Sequence, residues 1–152
     1  MLINILKTLF NRDLNRLKSE IAAYQNEANI WVIDKSIANS AGNLCLHLIG
    51  NLNTYIGEQI GKTGYIRHRD LEFSLKDIPK AELINKIEAT IEVIDTALNK
   101  LTEQDLETEY PIVVFQQKTS TSNLLIHLTT HLAYHLGQIN YHRRLLDKQL
   151  ID

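Results

Sequence analysis

Hydrophobic residues recur at spacings of three and four along four stretches of the chain, which is the pattern of amphipathic helices. The stretches cover about residues 2–27, 40–59, 80–101 and 123–149. The third has the strictest spacing, typical of the contact face of a helical bundle. Its apolar positions are Ile84, Ile87, Ile91, Ile94, Leu98 and Leu101. The pattern predicts an all-α fold, a four-helix bundle that forms a single domain over residues 1–152.

The segments between the predicted helices differ in character. Residues 61–80 form a long, glycine-containing connection between the second and third helices, and Trp31 is a candidate core residue in the loop after the first. Before the last helix, residues 110–115 (YPIVVF) favour an extended chain, which predicts a short edge strand. Thr121 or Ser122 is the predicted N-cap of the final helix.

Composition and charge narrow the function classes. The chain has 152 residues, of which 44% are apolar and 22% charged, and its net charge is −2. Near-neutral charge without a basic face argues against nucleic-acid binding, and no run of about 18 apolar residues predicts a membrane span. The single cysteine, Cys45, cannot form an intrachain disulfide, and the N-terminal run has no signal-peptide cleavage site. We therefore expect a cytoplasmic protein with no nucleic-acid or membrane partner.

Three histidines of the last predicted helix, His127, His131 and His135, are spaced four residues apart. Helix positions four apart lie on one face, so two consecutive imidazoles can converge on a single metal ion. They cannot complete its coordination alone, and His47 of the second helix is the candidate for the third ligand. Three neutral imidazoles leave one position of a tetrahedral ion open, as in catalytic zinc sites.

The histidine segments lack three common metal-binding motifs. Leu128 and Leu132 stand where a zincin of the H-E-x-x-H type needs glutamate. No histidine follows a glutamate by three residues, as in di-iron bundles, and there is no C-x-x-C-H haem motif. We predict a mononuclear centre without an adjacent carboxylate base. A hydrolase needs such a base to move a proton from metal-bound water, so its absence disfavours hydrolysis.

Each polar neighbour of the histidines has two possible roles. Gln138, three residues after His135, is a candidate to hydrogen-bond the ligand at the open position, or else packs between helices. Asn43 and Asn51, one turn either side of His47, are candidates to orient its imidazole, or else satisfy polar groups inside the bundle.

Two arginines and the cysteine complete the candidates. Arg143 and Arg144, near the end of the last helix, are candidates to bind a carboxylate of a cofactor. A solvated helix end is the alternative for them and for the neighbouring His142. Cys45 lies two residues from His47, about 200° round the helix, so it is predicted to point into the core.

Three segments resemble the DinB-like superfamily, which includes the YfiT-like metalloenzymes and the mycothiol- and bacillithiol-dependent transferases. They are LCLHLIGNLNTYIG around His47, RHRDLEF at residues 67–73 and HLAYHLGQINYHRR at residues 131–144. The resemblance extends over essentially the whole chain. It is greatest with a branch known only as a domain of unknown function.

The resemblance implies that His47, His131 and His135 bind one divalent ion and that His127 lies outside this set. It also implies a four-helix bundle, commonly a homodimer, which transfers or isomerises a small electrophile with a low-molecular-weight thiol as nucleophile. Zinc is the favoured metal, with nickel, manganese and iron as alternatives. A metal-binding stress or interaction protein without turnover and a metal-dependent hydrolase are the alternative functions.

Overall fold

The computed structural model describes residues 1–148, and all regular structure within that range is helical. The α-helices are α1 (Leu2–Ala22), α2 (Ala41–Leu52), α3 (Arg69–Ser74), α4 (Lys80–Leu98), α5 (Glu103–Leu106) and α6 (Thr121–Leu146). A short 3-10 helix covers Glu27–Trp31, and α2 continues into a π-helical segment at Asn53–Glu58. The predicted end of the last helix, at residue 149, lies outside the described residues.

The four long helices pack in adjacent pairs. Helix α1 contacts α4 and α6, and α2 contacts the same two helices. The buried face of α1 follows the predicted apolar spacing and consists of Ile3, Leu6, Phe10, Leu14, Leu17 and Ile21, with Asp13. Every residue of α2 is buried, because α3 and the 3-10 helix also pack against it. Helix α2, which carries His47, is therefore the most enclosed element of the fold.

Tertiary contacts move the ends of the predicted helices. The first helix ends at Ala22 rather than near residue 27. The Asp147 carboxylate accepts hydrogen bonds from the backbone N–H groups of residues 25–26, at 2.6 and 3.1 Å, and so holds the chain in a turn. The last helix begins earlier than predicted, because the Ser120 hydroxyl accepts from the Asn123 N–H and is the N-cap.

The predicted edge strand at residues 110–115 is wrong. The segment before α6 makes a single antiparallel bridge, between Glu109 and Ser120, and no strand occurs within residues 1–148. Tyr110 anchors the segment instead, since its ring is buried and its hydroxyl donates to the carbonyl of Tyr55 at 2.6 Å. Without a neighbouring strand to continue the ladder, β-branched residues alone do not make a sheet.

Trp31 and Cys45 both lie in the core, as expected from the sequence. A Cβ at Gly42 would come within 2.6 Å of the Trp31 ring, so the glycine is what lets the indole pack flat on α2. The connection between the second and third long helices is not fully irregular, because α3 lies within it. None of the helices in residues 1–148 combines the length and hydropathy needed to cross a membrane.

Candidate metal centre

The packing of α2 against α6 brings His47, His131 and His135 together. One ring nitrogen of each lies within 4.8 Å of the other two, and the Nε2 atoms of His47 and His131 are 3.2 Å apart. His47 is buried, with 8% of its surface exposed, whereas the two histidines of α6 are half-buried. The cluster predicted from two distant segments is therefore present.

The spacing and protonation of the cluster both suit a cation. Two nitrogens that bind a tetrahedral zinc ion lie about 3.3 Å apart, close to the observed His47–His131 separation. Burial, and then the neighbouring histidines, lower the pKa of His131 to about 4. Burial also lowers the pKa of His135. Both side chains are therefore neutral near pH 7, which is the form of imidazole that binds metals.

Glu72 of α3 orients His47. Its Oε1 atom accepts a hydrogen bond from Nδ1–H of His47 at 3.0 Å, and Arg67 binds both carboxylate oxygens through Nε and Nη2, each at 2.9 Å. Burial raises the pKa of Glu72, but hydrogen bonds from Arg67 and His47 outweigh it, so the pKa is lowered overall. An ionised carboxylate only accepts hydrogen bonds. The proton of His47 is therefore on Nδ1, and the lone pair of Nε2 faces the other histidines.

The position of Glu72 depends on two residues of α2. A Cβ at position 50 would lie 2.0 Å from Glu72 Oε2, so Gly50 supplies the space that the carboxylate occupies. The Asn43 side chain donates to the backbone carbonyls of Glu72 and Leu75, each at 2.9 Å. Asn43 therefore fastens α3 to α2 rather than contacting the ring of His47.

Glu72 was not predicted from the sequence, and the prediction that no carboxylate lies beside the centre is wrong. Glu72 is 25 residues after His47 and outside the histidine segments where a carboxylate was sought. The available signal was the RHRDLEF segment, which pointed to this region without assigning a role to any residue. Even so, Glu72 contacts the Nδ1 side of the imidazole, away from the shared nitrogens, and both its oxygens are engaged. It is placed to orient His47 and not to accept a proton at the centre.

Gln138 and Asn51 occupy different environments. Gln138 Oε1 accepts a hydrogen bond from Nδ1–H of His135 at 2.7 Å, so it orients that ring as Glu72 orients His47. Asn51 is buried, and its Oδ1 atom has no hydrogen-bond partner within the described range. The same holds for Nδ1 of His131, in the described part of the chain. Within residues 1–148, the side-chain amide of Asn51 makes no hydrogen bond to His47.

The remaining candidates lie outside the cluster. Arg143 donates through Nε to Glu20 of α1 at 2.7 Å, and it follows His135 by eight residues, about 12 Å along the helix. The Arg144 guanidinium lies 5.8 Å from the ring centroid of Tyr141. The structure therefore does not bring either arginine to the three histidines.

His127 lies next to the cluster without joining it. Its ring is stacked 6.2 Å from that of His131, and it contacts Phe115 edge-on at 4.7 Å. The side chain is exposed, and the group of ligand atoms that converge does not include it.

Comparison with known proteins shows the family to which the chain belongs. Residues 2–151 match the family described as "Protein of unknown function (DUF1572)". The chain belongs to the DUF1572 family. No curated protein matches this DUF1572 protein. Its fold is similar to that of a conserved protein from Enterococcus faecalis, with a TM-score of 0.74 and 16% identity over 94% of this chain and 95% of that one. At this identity the likeness shows the fold alone, and the resemblance to the DinB-like superfamily stays a prediction.

Proposed function

We propose that this DUF1572 protein is a DinB-like four-helix bundle that binds one divalent ion, zinc in the first place, through His47, His131 and His135. The observation that carries the proposal is the convergence of three ring nitrogens within 4.8 Å. Glu72 and Gln138 hold two of these rings with their Nε2 lone pairs free. Within residues 1–148, the hydrogen-bond contact available to these lone pairs is the one between Nε2 of His47 and Nε2 of His131, at 3.2 Å. A cation would satisfy all three rings at once.

The activity we propose is transfer or isomerisation of a small electrophile with a low-molecular-weight thiol as nucleophile. His47, His131 and His135 would hold the ion, which would leave a coordination position open for a thiol and would lower the pKa of that thiol. In a transfer, the sulfur forms a bond to the electrophilic carbon, the leaving group departs with its electron pair, and the thiol proton passes to solvent. Glu72 is held by Arg67 and His47, so the site supplies no free carboxylate to activate water, which disfavours hydrolysis.

Access to the cluster supports turnover over a purely structural ion. His131 and His135 are half-buried rather than sealed in the core. A cavity of about 610 Å³ has His135 and Gln138 in its wall, next to the candidate centre. Structural zinc sites have four protein ligands and no such opening, whereas catalytic sites keep a position for substrate.

Elemental analysis combined with a transfer assay tests the proposal. Purified protein is dialysed against zinc, nickel, manganese or ferrous iron, and the bound metal is measured. Each form is then assayed with cysteine, glutathione and bacillithiol against monochlorobimane. We expect about one ion per chain and a rate above that of metal-free protein. Failure to retain any of the four metals would overturn the site. Retention without turnover on a broader panel of electrophiles would favour the non-catalytic metal-binding protein.

The homodimer implied by the family resemblance is part of the same proposal. Sedimentation equilibrium measures it directly, and a monomer at all concentrations would contradict it.

A further inference from the structure

A cavity of about 610 Å³ lies between the C-terminal half of α6 and the loop that precedes α2. Its wall is formed mainly by apolar and aromatic side chains. The lining residues are Ser36, Ile37, Ala38, Asn39, Leu44, Tyr134, His135, Gln138, Tyr141, His142 and Leu145. The volume is that of a site for one small organic molecule.

The cavity adjoins the three-histidine cluster. His135 belongs to the cluster and also lines the cavity, and its hydrogen-bond partner Gln138 is in the same wall. A molecule in the cavity therefore contacts one of the three candidate ligands, while His47 and His131 are not in the wall. A second reactant held there would approach the centre from the His135 side.

Among residues 1–148, no lysine, arginine, aspartate or glutamate lines this cavity. Its two histidines are held by hydrogen bonds to the protein: Gln138 binds Nδ1 of His135, and both ring nitrogens of His142 have partners. Arg143 and Arg144 are not in the wall, although both lie on the same helix. The described side chains of the wall therefore offer no fixed charge to pair with a carboxylate or phosphate, so in the metal-free protein an anion would lose its solvation there without compensation.

A second groove provides the contrast. It has a volume of about 500 Å³, lies between α1 and α6, and contains none of the three clustered histidines. Four charged side chains, Arg12, Asp13, Arg16 and Glu20, are in its wall. The uncharged lining is thus a property of the cavity beside the metal centre and not of the α6 surface in general.

We propose that this cavity binds the acceptor substrate, and that the acceptor is an uncharged molecule with an aromatic or branched apolar body. The assignment of an acceptor rests on the proposed function. Binding of an uncharged aromatic molecule depends only on the cavity and does not require the ion.

Binding of 2-naphthol and 2-naphthoate tests the charge and shape preference. Both have the same ring system, and only the second is an anion at neutral pH. Leu145→Glu places a carboxylate at the rim of the cavity, where the native side chain is 53% exposed. Ile126→Glu is the matched control, because Ile126 is 45% exposed on the same helix and lies outside the cavity lining. Dissociation constants are measured by ligand-observed NMR with metal-free and zinc-loaded protein, and circular dichroism verifies folding.

We expect 2-naphthol to bind the metal-free protein at least about tenfold more tightly than 2-naphthoate. Leu145→Glu should weaken 2-naphthol binding about tenfold, and Ile126→Glu should leave it unchanged. Equal affinity for the two probes, or equal loss in both variants, would overturn the proposal.

The two proposals fail in different ways. Selective 2-naphthol binding without zinc retention or thiol transfer would remove the proposed function and the acceptor role, and would leave the binding of an uncharged aromatic molecule in the cavity standing. Conversely, the protein could retain zinc and transfer the thiol to monochlorobimane at the same rate in the native chain and in Leu145→Glu. That result would remove the cavity assignment and leave the proposed function standing.

Discussion

Helix α6 carries histidines toward the interior at two places, and their surroundings differ. Near its C-terminal end, His142 is 4% exposed and both of its ring nitrogens have protein partners. The Tyr24 hydroxyl donates to Nδ1 at 2.7 Å, and Nε2–H donates to the carbonyl of Val32 at 2.8 Å. Such a histidine has no lone pair left for a metal, and it joins α6 to the N-terminal part of the fold.

Two turns earlier, His131 and His135 have fewer protein partners. Gln138 binds only Nδ1 of His135, and Nδ1 of His131 has no partner in the described range, while the remaining nitrogens converge with that of His47. The number of ring nitrogens bound by groups outside the cluster therefore separates a structural histidine from a candidate ligand. Spacing along the helix does not separate them.

The largest expected effect is loss of metal from His47→Ala or His135→Ala. Either change leaves two imidazoles, so we expect zinc affinity to fall by at least about 100-fold. Competition with a fluorescent chelator measures this. His127→Ala is the control, since His127 lies one turn before His131 and outside the cluster. A His47→Ala variant with native zinc affinity would contradict the site.

The next largest effect is on the free energy of unfolding and concerns His142, near the C-terminal end of α6. His142→Ala removes two buried hydrogen bonds and leaves the Tyr24 hydroxyl without its partner. We expect the free energy of unfolding to fall by about 2–4 kcal/mol, measured by urea denaturation of the metal-free protein. Tyr24→Phe, which removes one of the two bonds, should cost less. The zinc content of the folded fraction should be unchanged in both variants. Loss of zinc would mean that the surroundings of His142 and the three-histidine cluster are coupled.

Alanine substitutions at two glycines test the role of Glu72 in orienting His47. Gly50→Ala places a methyl group where the carboxylate lies, so we expect α3 to shift and zinc affinity to fall about 10- to 100-fold. Gly137→Ala is the control, because a Cβ there meets nothing within 4 Å. It should raise stability by about 0.5–1 kcal/mol and leave zinc affinity unchanged. Native affinity in Gly50→Ala would show that the centre does not depend on Glu72.

The smallest expected effect is on the pH dependence of stability. Burial lowers the pKa of His142 below its usual 6.5, so the unfolded chain takes up a proton at a higher pH than the folded chain does. The contribution of neutral His142 is therefore complete above about pH 7 and decreases as the pH falls below 6.5. Urea titrations of metal-free protein between pH 7.5 and pH 5 should show a shallower decline for His142→Ala than for the native chain. Equal slopes would assign the decline to other groups.

The long helices could be predicted from the sequence because their apolar spacing is a local property. The spacing of His131 and His135, together with His47 in a second helix, was also enough to predict the cluster. The edge strand failed because extended preference at residues 110–115 needs a partner strand, and the fold offers only one bridge. The first helix was predicted too long because the chain turns after Ala22, and Asp147, from the far end of the chain, binds the N–H groups of residues 25–26 in that turn.

Apolar spacing along the chain was enough to predict where the long helices lie, which of their faces are buried and which imidazoles can meet. How each ring nitrogen is satisfied depends on the packing of the helices. Glu72 reaches His47 through the space left at Gly50, and Tyr24 reaches His142 across 118 residues of sequence. Helical periodicity comes from contacts within a few residues, whereas protonation and orientation depend on groups that become neighbours only when the helices pack.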